Sequence, residues 1–150
     1  MNKLSHVSEE GKAKMVDVTA KPDLLRRAVA RGKIVLEPGT VALIRENKIK
    51  KGAALTVAEI AGIQGGKQTS NLIPLCHPLL ITHIEVTATL EETGVTVVAT
   101  TRCKGATGIE MEALTAVSTA LLTVYDMCKA VDKKMVIGEI QLVEKTKEEV

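Results

Sequence analysis

The fold class of this chain is decided by residues 84–101, IEVTATLEETGVTVVATT. Apolar and polar residues alternate over residues 84–90, and after a short polar segment the period of two returns at Val95, Val97, Ala99 and Thr101. Alternation with a period of two is typical of a strand that buries one face, and two such runs joined by a short turn form a β-hairpin. The stretch therefore predicts two antiparallel strands joined by a turn over residues 91–94.

The longest helical pattern follows this hairpin and spans residues 108–131. Its apolar face is formed by residues at helical spacing, which are Met111, Leu114, Val117, Leu121, Val124 and Cys128. A second face of the helix has the small side chains of Ala113, Ala116 and Ala120. A helix that is apolar or small on several sides is usually buried on more than one of them, which in a small domain predicts a subunit interface. A last strand is predicted over residues 135–143, followed by a charged tail over residues 144–150.

The part of the chain before the hairpin carries shorter signals, with a basic loop over residues 48–52. The predicted helices span residues 22–30, 38–45 and 53–63, and the predicted short strands span residues 15–18 and 33–36. Pro22 is the start signal of the first helix and Gly32 is its stop signal. Gly65-Gly66 ends the third helix. Hairpin strands with helices between and after them indicate the α+β class, with an antiparallel sheet covered on one face by helices. We predict a single domain over residues 1–150.

Composition excludes several classes of protein. The net charge of +2 is too small to indicate nucleic acid or membrane binding by itself, and one Tyr without Phe or Trp argues against base-stacking platforms. The three cysteines form no Cys-x-x-Cys pair, which fits a reducing compartment. The N-terminus lacks the apolar stretch of a signal peptide, and no apolar run is long enough to span a membrane. We expect a cytoplasmic protein.

Residues 72–78, LIPLCHP, hold a thiol and an imidazole side by side between two prolines. Proline restricts its own backbone and that of the residue before it, so Cys76 and His77 are held stiffly. Neighbouring side chains on extended backbone point in opposite directions, so the pair can hardly ligate one metal ion. No ligand spacing elsewhere supports a zinc site. A structural turn and a functional segment both stay open on the residues alone.

The predicted long helix carries acidic residues near both ends. Residues 107–110, TGIE, fit a capping box, which favours a capping role for Glu110. Asp126 and Lys129 are three residues apart, which allows either a solvated ion pair or a buried pair able to transfer protons. Glu112 and Asp126 lie on one stripe of the helix but about 21 Å apart along its axis. If both serve one site, two subunits build that site.

Six stretches in order over residues 15 to about 145 resemble the cyclic pyranopterin monophosphate synthases, also called molybdenum cofactor biosynthesis protein C. They are MVDV at 15–18, AGIQ at 61–64, K-x-T at 67–69, LIPLCHPL at 72–79, TGIEMEALT at 107–115 and YDMCKAV at 125–131. The resemblance implies a ferredoxin-like fold and a homohexamer built as a trimer of dimers with active sites at the dimer interface. It also implies conversion of 3',8-cyclo-7,8-dihydro-GTP, made by an upstream radical enzyme, to cyclic pyranopterin monophosphate with release of pyrophosphate.

The resemblance also implies roles for individual residues. Asp126 matches the catalytic aspartate, and Lys51 and Lys129 match lysines that transfer protons. The positions that match substrate-contacting segments are Leu75, Cys76, His77, Met111 and Glu112, of which His77 is also a candidate for catalysis. The basic positions expected near the phosphates are Arg26, Lys67 and Lys145. Glu110 stays open between cap and site. No metal site and no cofactor are implied, and magnesium would enter only with the substrate triphosphate.

The chain departs from the family pattern at Asn71, at Ala106 and in its tail, KTKEE at residues 145–149. The tail puts the phosphate contact of Lys145 in question. A competing hypothesis from another class is a regulatory or scaffolding oligomer that binds a nucleotide or pterin without turnover. Lys51, Asp126 and Lys129 favour the enzyme, because pure binding does not require a paired acid and base. The upstream radical enzyme is a further candidate partner.

Overall fold

The structure is a computed structural model that describes residues 4–150. Its strands are β1 (Leu24–Val35), β2 (Ile81–Glu91), β3 (Gly94–Gly105) and β4 (Val136–Glu148), and its helices are α1 (Pro38–Arg45), α2 (Ala54–Lys67), α3 (Thr69–Leu72) and α4 (Glu110–Cys128). The strands form one sheet in the order β2-β3-β1-β4, and every neighbouring pair is antiparallel. This is a ferredoxin-like arrangement, so the predicted α+β class is confirmed.

The predicted hairpin is confirmed as β2 and β3, and both strands are longer than the alternating runs. Val95, Val97 and Ala99 are fully buried, whereas the intervening Val98 is exposed on the other face of the sheet. Gly94 pairs with Glu91 at the turn and has φ of 151°. A side chain at Gly94 would overlap the carbonyl of Ile34 on β1, so the close approach of β1 requires glycine there.

The helix predicted over residues 22–30 is wrong, because this segment belongs to the central strand β1. The stretch LLRRAVAR has good helix formers, but it pairs on one side with β3 and on the other with β4. Tertiary pairing overrides local propensity here. The strand predicted over residues 33–36 is the end of β1. Gly32 lies within β1, where a side chain would come within 2.8 Å of Leu121 and Val117 on α4.

Three other boundaries differ from the prediction. Gly65-Gly66 does not end α2, which continues through Lys67. The two glycines instead serve packing, because without side chains they let α2 approach α4 closely. A side chain at Gly65 would overlap Thr119. Residues 15–18 form no strand, although an isolated bridge joins Val7 and Ala13. Most of the predicted charged tail is part of β4, because residues 144–148 pair with the first half of β1. The helix predicted over residues 108–131 is confirmed as the shorter α4.

The core lies between the sheet and one layer of helices, in which α2 and α4 pack against each other. The buried face of α4 consists of Ala113, Ala116, Val117, Ala120, Leu121 and Val124. On the sheet, α4 contacts mainly β1, β3 and β4. The basic loop after α1 reaches the C-terminal end of α4, where Lys51 contacts Asp126. Within residues 4–150, no helix is long and apolar enough to cross a membrane.

Candidate active site

A cavity of about 540 Å³ lies at the N-terminal end of α4. Its walls come from the proline-flanked loop after α3, the first turn of α4, the start of β1, the end of β4 and residues before β1. Most of the predicted site residues line it, namely Arg26, Leu75, Cys76, His77, Glu110, Met111, Glu112 and Lys145. The fold therefore gathers into one cavity residues that are far apart in sequence.

Glu112 is the buried acid of this cavity. Its residue is only 4% exposed, and its Oε2 has no hydrogen-bond partner among the described residues. Burial raises the pKa of Glu112 to about 7, and the nearby charge of Glu110 adds to the rise. Buried carboxylate oxygens are normally paired, so an orphaned one in a cavity wall is suited to accept a hydrogen bond from a ligand. Near neutral pH the same carboxyl can hold or release a proton.

Glu110 does not make the predicted capping box. The helix begins after Ile109 with no side-chain hydrogen bond at its cap, so the prediction for Thr107 and Glu110 is wrong. The Glu110 side chain instead lies over Gly108, where a β-carbon would overlap its carboxylate. Its Oε1 accepts a hydrogen bond from Lys145 Nζ at 3.2 Å, and its Oε2 is buried without a partner. Glu110 therefore belongs to the cavity by geometry.

The side chains of Cys76 and His77 have different surroundings and different roles in the cavity. The His77 Nε2 atom lies 2.6 Å from the carbonyl oxygen of Val16. A carbonyl can only accept, so Nε2 donates, and in the neutral tautomer that has this N–H the acceptor is Nδ1. Burial, followed by the charges of Glu112 and Glu110, raises the pKa of the Cys76 thiol. A thiol held protonated is a poor nucleophile and a poor metal ligand, so its arrangement favours a contact role.

The cations of the cavity include two that the sequence patterns did not single out, Lys21 and Lys147. Arg26 is 9% exposed and donates from Nε to the carbonyl of Gly105 at 2.9 Å, which leaves its terminal nitrogens for other partners. Lys145 and Lys147 alternate on β4, and Lys147 is the register partner of Arg26. The alternation in the sequence KTKEE could have indicated a strand with both lysines on one face. Ser5, His6, Val16 and Val18 were also missed.

A second cluster lies at the other end of α4. Lys51 Nζ lies 2.9 Å from Asp126 Oδ2, and Lys129 Nζ lies 2.8 Å from Asp126 Oδ1. The hydrogen bonds from Lys129 and Lys51 lower the pKa of Asp126 to about 2, and Asp126 in turn raises the pKa of Lys129. The side chains of Lys51, Asp126 and Lys129 are 51%, 52% and 58% exposed, so within one chain the pair is solvated rather than buried.

The two clusters do not meet within one chain. Glu112 and Asp126 lie in the first and last turns of α4, roughly 21 Å apart along the helix axis. Lys67 is exposed in the last turn of α2 and lines neither cluster. Within residues 4–150, no three His, Cys, Asp or Glu side chains are grouped as ligands for a metal ion. That magnesium accompanies a bound triphosphate stays a prediction.

The fold and the cavity define a class of protein: a ferredoxin-like α+β protein with a cationic cavity that also holds the buried carboxyl group of Glu112. The comparisons with known proteins narrow this class. The MoaC family model matches residues 15–148, and the chain belongs to that family. The resemblance noted in the sequence is thereby confirmed.

Several relatives match nearly the whole chain, and each is named cyclic pyranopterin monophosphate synthase. The relative from Heliobacterium modesticaldum is 53% identical over 148 residues, which cover 97% of this chain and 93% of the relative. The relative from Roseiflexus sp. strain RS-1 is also 53% identical over 148 residues, with 97% and 94% covered. The relative from Clostridium acetobutylicum is 50% identical over 144 residues, with 95% and 89% covered.

Proposed function

We propose that this chain converts (8S)-3',8-cyclo-7,8-dihydroguanosine 5'-triphosphate to cyclic pyranopterin monophosphate with release of pyrophosphate, an early step of molybdenum cofactor biosynthesis. The observation that carries the proposal is the cavity at the start of α4, which combines cationic side chains with the buried, unpaired carboxylate of Glu112. The name shared by relatives of about half identity over nearly the full length supports the same reaction.

The two kinds of group in the cavity suit the two ends of this substrate. A triphosphate carries several negative charges, and the cations that line the cavity, which are Lys21, Arg26, Lys145 and Lys147, offset them. The guanine-derived ring presents N–H donors. The unpaired carboxylate oxygen of Glu112 can accept a hydrogen bond from one of them. Leu75, Cys76 and Met111 supply the apolar and polarisable wall between the two ends.

The proton transfers fall to Lys51, Asp126 and Lys129. Opening the five-membered ring and building the pterin requires repeated proton transfers, and both ammonium groups are held by one carboxylate. Lys129 is protonated near neutral pH, as a lysine normally is, and Asp126 raises its pKa further, so it acts first as an acid. Closure of the cyclic phosphate follows: a sugar-derived oxygen attacks the α-phosphorus, the bond to the β-phosphate breaks and pyrophosphate leaves. The cavity cations stabilise this charge.

The complete site requires two copies of the chain, because no small ligand spans the roughly 21 Å between the clusters. The Lys51–Asp126–Lys129 cluster of one copy would complete the cavity of another. The surface around Asp126 favours this, since Leu122 and Tyr125 on the same face of α4 are 61% and 39% exposed. Three such dimers would form the homohexamer implied by the resemblance. We expect a cytoplasmic enzyme that needs no bound cofactor and receives its substrate from a radical enzyme.

The decisive experiment is incubation of the purified protein with the cyclic dihydro-GTP intermediate. We expect stoichiometric pyrophosphate and pterin product, which a coupled phosphate assay and chromatography measure. GTP is the matched control, because it has the triphosphate but lacks the carbon–carbon bond between ribose and C8, and it should release nothing. If the folded protein binds the intermediate but yields neither product, the chain is a binding oligomer and not the synthase.

A further inference from the structure

The N-terminal segment, residues 4–18, is folded although it lies outside the sheet. The amide of Lys14 donates to the carbonyl of His6 at 2.9 Å, and Val7 pairs with Ala13 in an antiparallel bridge. Ser8 closes the turn, because its Oγ accepts from the amide of Lys12 at 3.1 Å. Gly11 has φ of +79°, which the turn needs and glycine tolerates. The segment is therefore a small hairpin followed by an extended run.

This segment has little apolar burial to hold it in place. Leu4 is 78% exposed and Val7 is 38% exposed, and isolated two-stranded hairpins are only marginally stable. Its attachment is instead at the cavity, where the carbonyl of Val16 accepts from His77 and the side chains of Val16 and Val18 form part of the wall. The position of the segment is thus tied to a residue of the cavity.

The hairpin brings two polar side chains, Ser5 and His6, to the rim of the same cavity. His6 is exposed and also lines the space that Arg26 and Lys145 line. An imidazole at the rim of a cationic cavity has one evident complement, an oxyanion, to which it can donate a ring N–H.

We propose that the N-terminal segment closes the phosphate end of the cavity and that His6 is a substrate-binding residue that donates a hydrogen bond to a phosphate oxygen. The inference rests on the proposed function, because it takes the triphosphate as the anion. Phosphate contacts made by His6 order the hairpin over the bound substrate, and the bond between His77 and Val16 anchors the far end of the segment. Closure then shields the reacting phosphates from water.

The test uses two variants of His6 and a matched histidine. His6→Ala removes the donor, and His6→Gln keeps a side-chain N–H. His83→Ala is the control, because His83 lies on β2 outside the cavity with its side chain 49% exposed. Removal of a hydrogen bond to a charged group lowers affinity by at least about tenfold. We expect His6→Ala to weaken binding of inorganic tripolyphosphate, measured by calorimetry, and to raise KM by about that factor with kcat little changed.

A second readout follows the segment itself. Trypsin cuts after Lys12 and Lys14, both exposed in the hairpin. Tripolyphosphate should slow these cuts in the wild type and in His83→Ala, slow them less in His6→Gln, and leave them unchanged in His6→Ala. Equal tripolyphosphate affinity, KM and trypsin protection in His6→Ala and the wild type would overturn the inference while leaving the synthase intact. A wild type that binds tripolyphosphate but never turns over the intermediate would instead overturn the proposed function.

Discussion

Glu112 and Asp126 stand at opposite ends of α4 in opposite environments. Glu112 is buried with an unpaired oxygen, and burial raises its pKa to about 7. Asp126 is half exposed between two lysines, which lower its pKa to about 2. The positive end of the helix dipole favours an ionised carboxylate at Glu112, yet burial dominates. The surroundings of each acid, and not its place on the helix, decide whether it holds a proton.

The largest effect is expected at the C-terminal cluster. Asp126→Asn and Lys51→Ala should each fold and assemble but lower kcat by about a hundredfold to ten-thousandfold, because each removes a proton-transfer group or its partner. Steady-state kinetics and size-exclusion chromatography measure this. Lys48→Ala is the matched control, since Lys48 lies in the same basic loop and pairs only with Glu46 in the described structure. A near-normal rate for Asp126→Asn would remove that residue from the mechanism.

Mixing inactive variants tests whether the two ends of α4 belong to one site across two chains. Glu112→Ala and Asp126→Ala chains should each be inactive alone. After unfolding and refolding together, about half of the dimers are mixed and each has one intact site, so about a quarter of wild-type activity should return. The control is the same refolding of each variant by itself. If nothing returns although mixed oligomers form, the shared-site model is wrong.

The pH dependence of stability sharpens the contrast at Glu112. Its pKa is higher in the folded than in the unfolded protein, so its contribution to stability is complete below about pH 4.5 and is lost as the pH rises through 7. The loss corresponds to about 3 kcal/mol. Glu112→Gln should remove this loss between pH 5 and 8, which urea unfolding at both pH values measures. Glu92→Gln, an exposed change in the turn between β2 and β3, should behave as the wild type does.

Asp132 offers the same test at the other end, with the opposite sign. It is 2% exposed, and its Oδ2 accepts from the amide of Glu37 and the hydroxyl of Thr40, both at 2.9 Å. These bonds tie the end of α4 to α1, which leads to the loop of Lys51. Burial alone would raise the pKa of Asp132, but the hydrogen bonds outweigh it and the pKa lies below its ordinary value.

Asp132→Asn should therefore cost about 2 kcal/mol of unfolding free energy at neutral pH, because a buried acceptor is replaced by an unpaired donor. The difference from the wild type should shrink as the pH falls below about 3.8, where the carboxylate bonds are lost on protonation. Chemical unfolding at pH 7 and pH 3 measures this. Asp23→Asn, an exposed change before β1, is the control. A constant difference at both pH values would contradict the ionised state of Asp132.

The smallest effect is expected at Cys76. Cys76→Ser should change kcat by less than about threefold, because a thiol whose pKa is raised by burial is not the nucleophile. Steady-state kinetics of the variant test this. The rate at which iodoacetamide alkylates Cys76 in the wild type near neutral pH tests whether the thiol is reactive. Loss of activity by more than a hundredfold in a folded Cys76→Ser protein would restore a chemical role for the thiol.

Local patterns predicted the elements whose burial alternates simply. The β2–β3 hairpin and α4 repeat their apolar residues at a constant spacing, so their periods are visible in the sequence. Residues 24–30 of β1 were predicted as part of a helix, because Pro22 and Gly32 match helix start and stop signals, and only pairing with β3 and β4 makes them a strand. Gly65-Gly66 would end an isolated helix, but it is the place where α2 packs against α4.

The candidate site shows the same division. Motifs pointed to the residues of the proline-flanked loop and of the first turn of α4, and the cavity gathers them. Lys147 and His6 carry no motif: the first enters through the register of β4 with β1, and the second through a hairpin outside the sheet. Such residues are brought in by long-range pairing, which a local window of sequence does not contain.

The sequence by itself determined the α+β class, the family and the chemical types available for catalysis, because periodic burial and dense motifs are local properties. Tertiary structure alone decided in which direction the pKa values of Glu112 and Asp126 shift. The pKa values of two acids on one helix differ because one acid is buried and the other is contacted by lysines. Burial and lysine contacts both depend on which distant segments pack against α4. The opposing pKa values of Glu112 and Asp126 are therefore properties of the packed molecule.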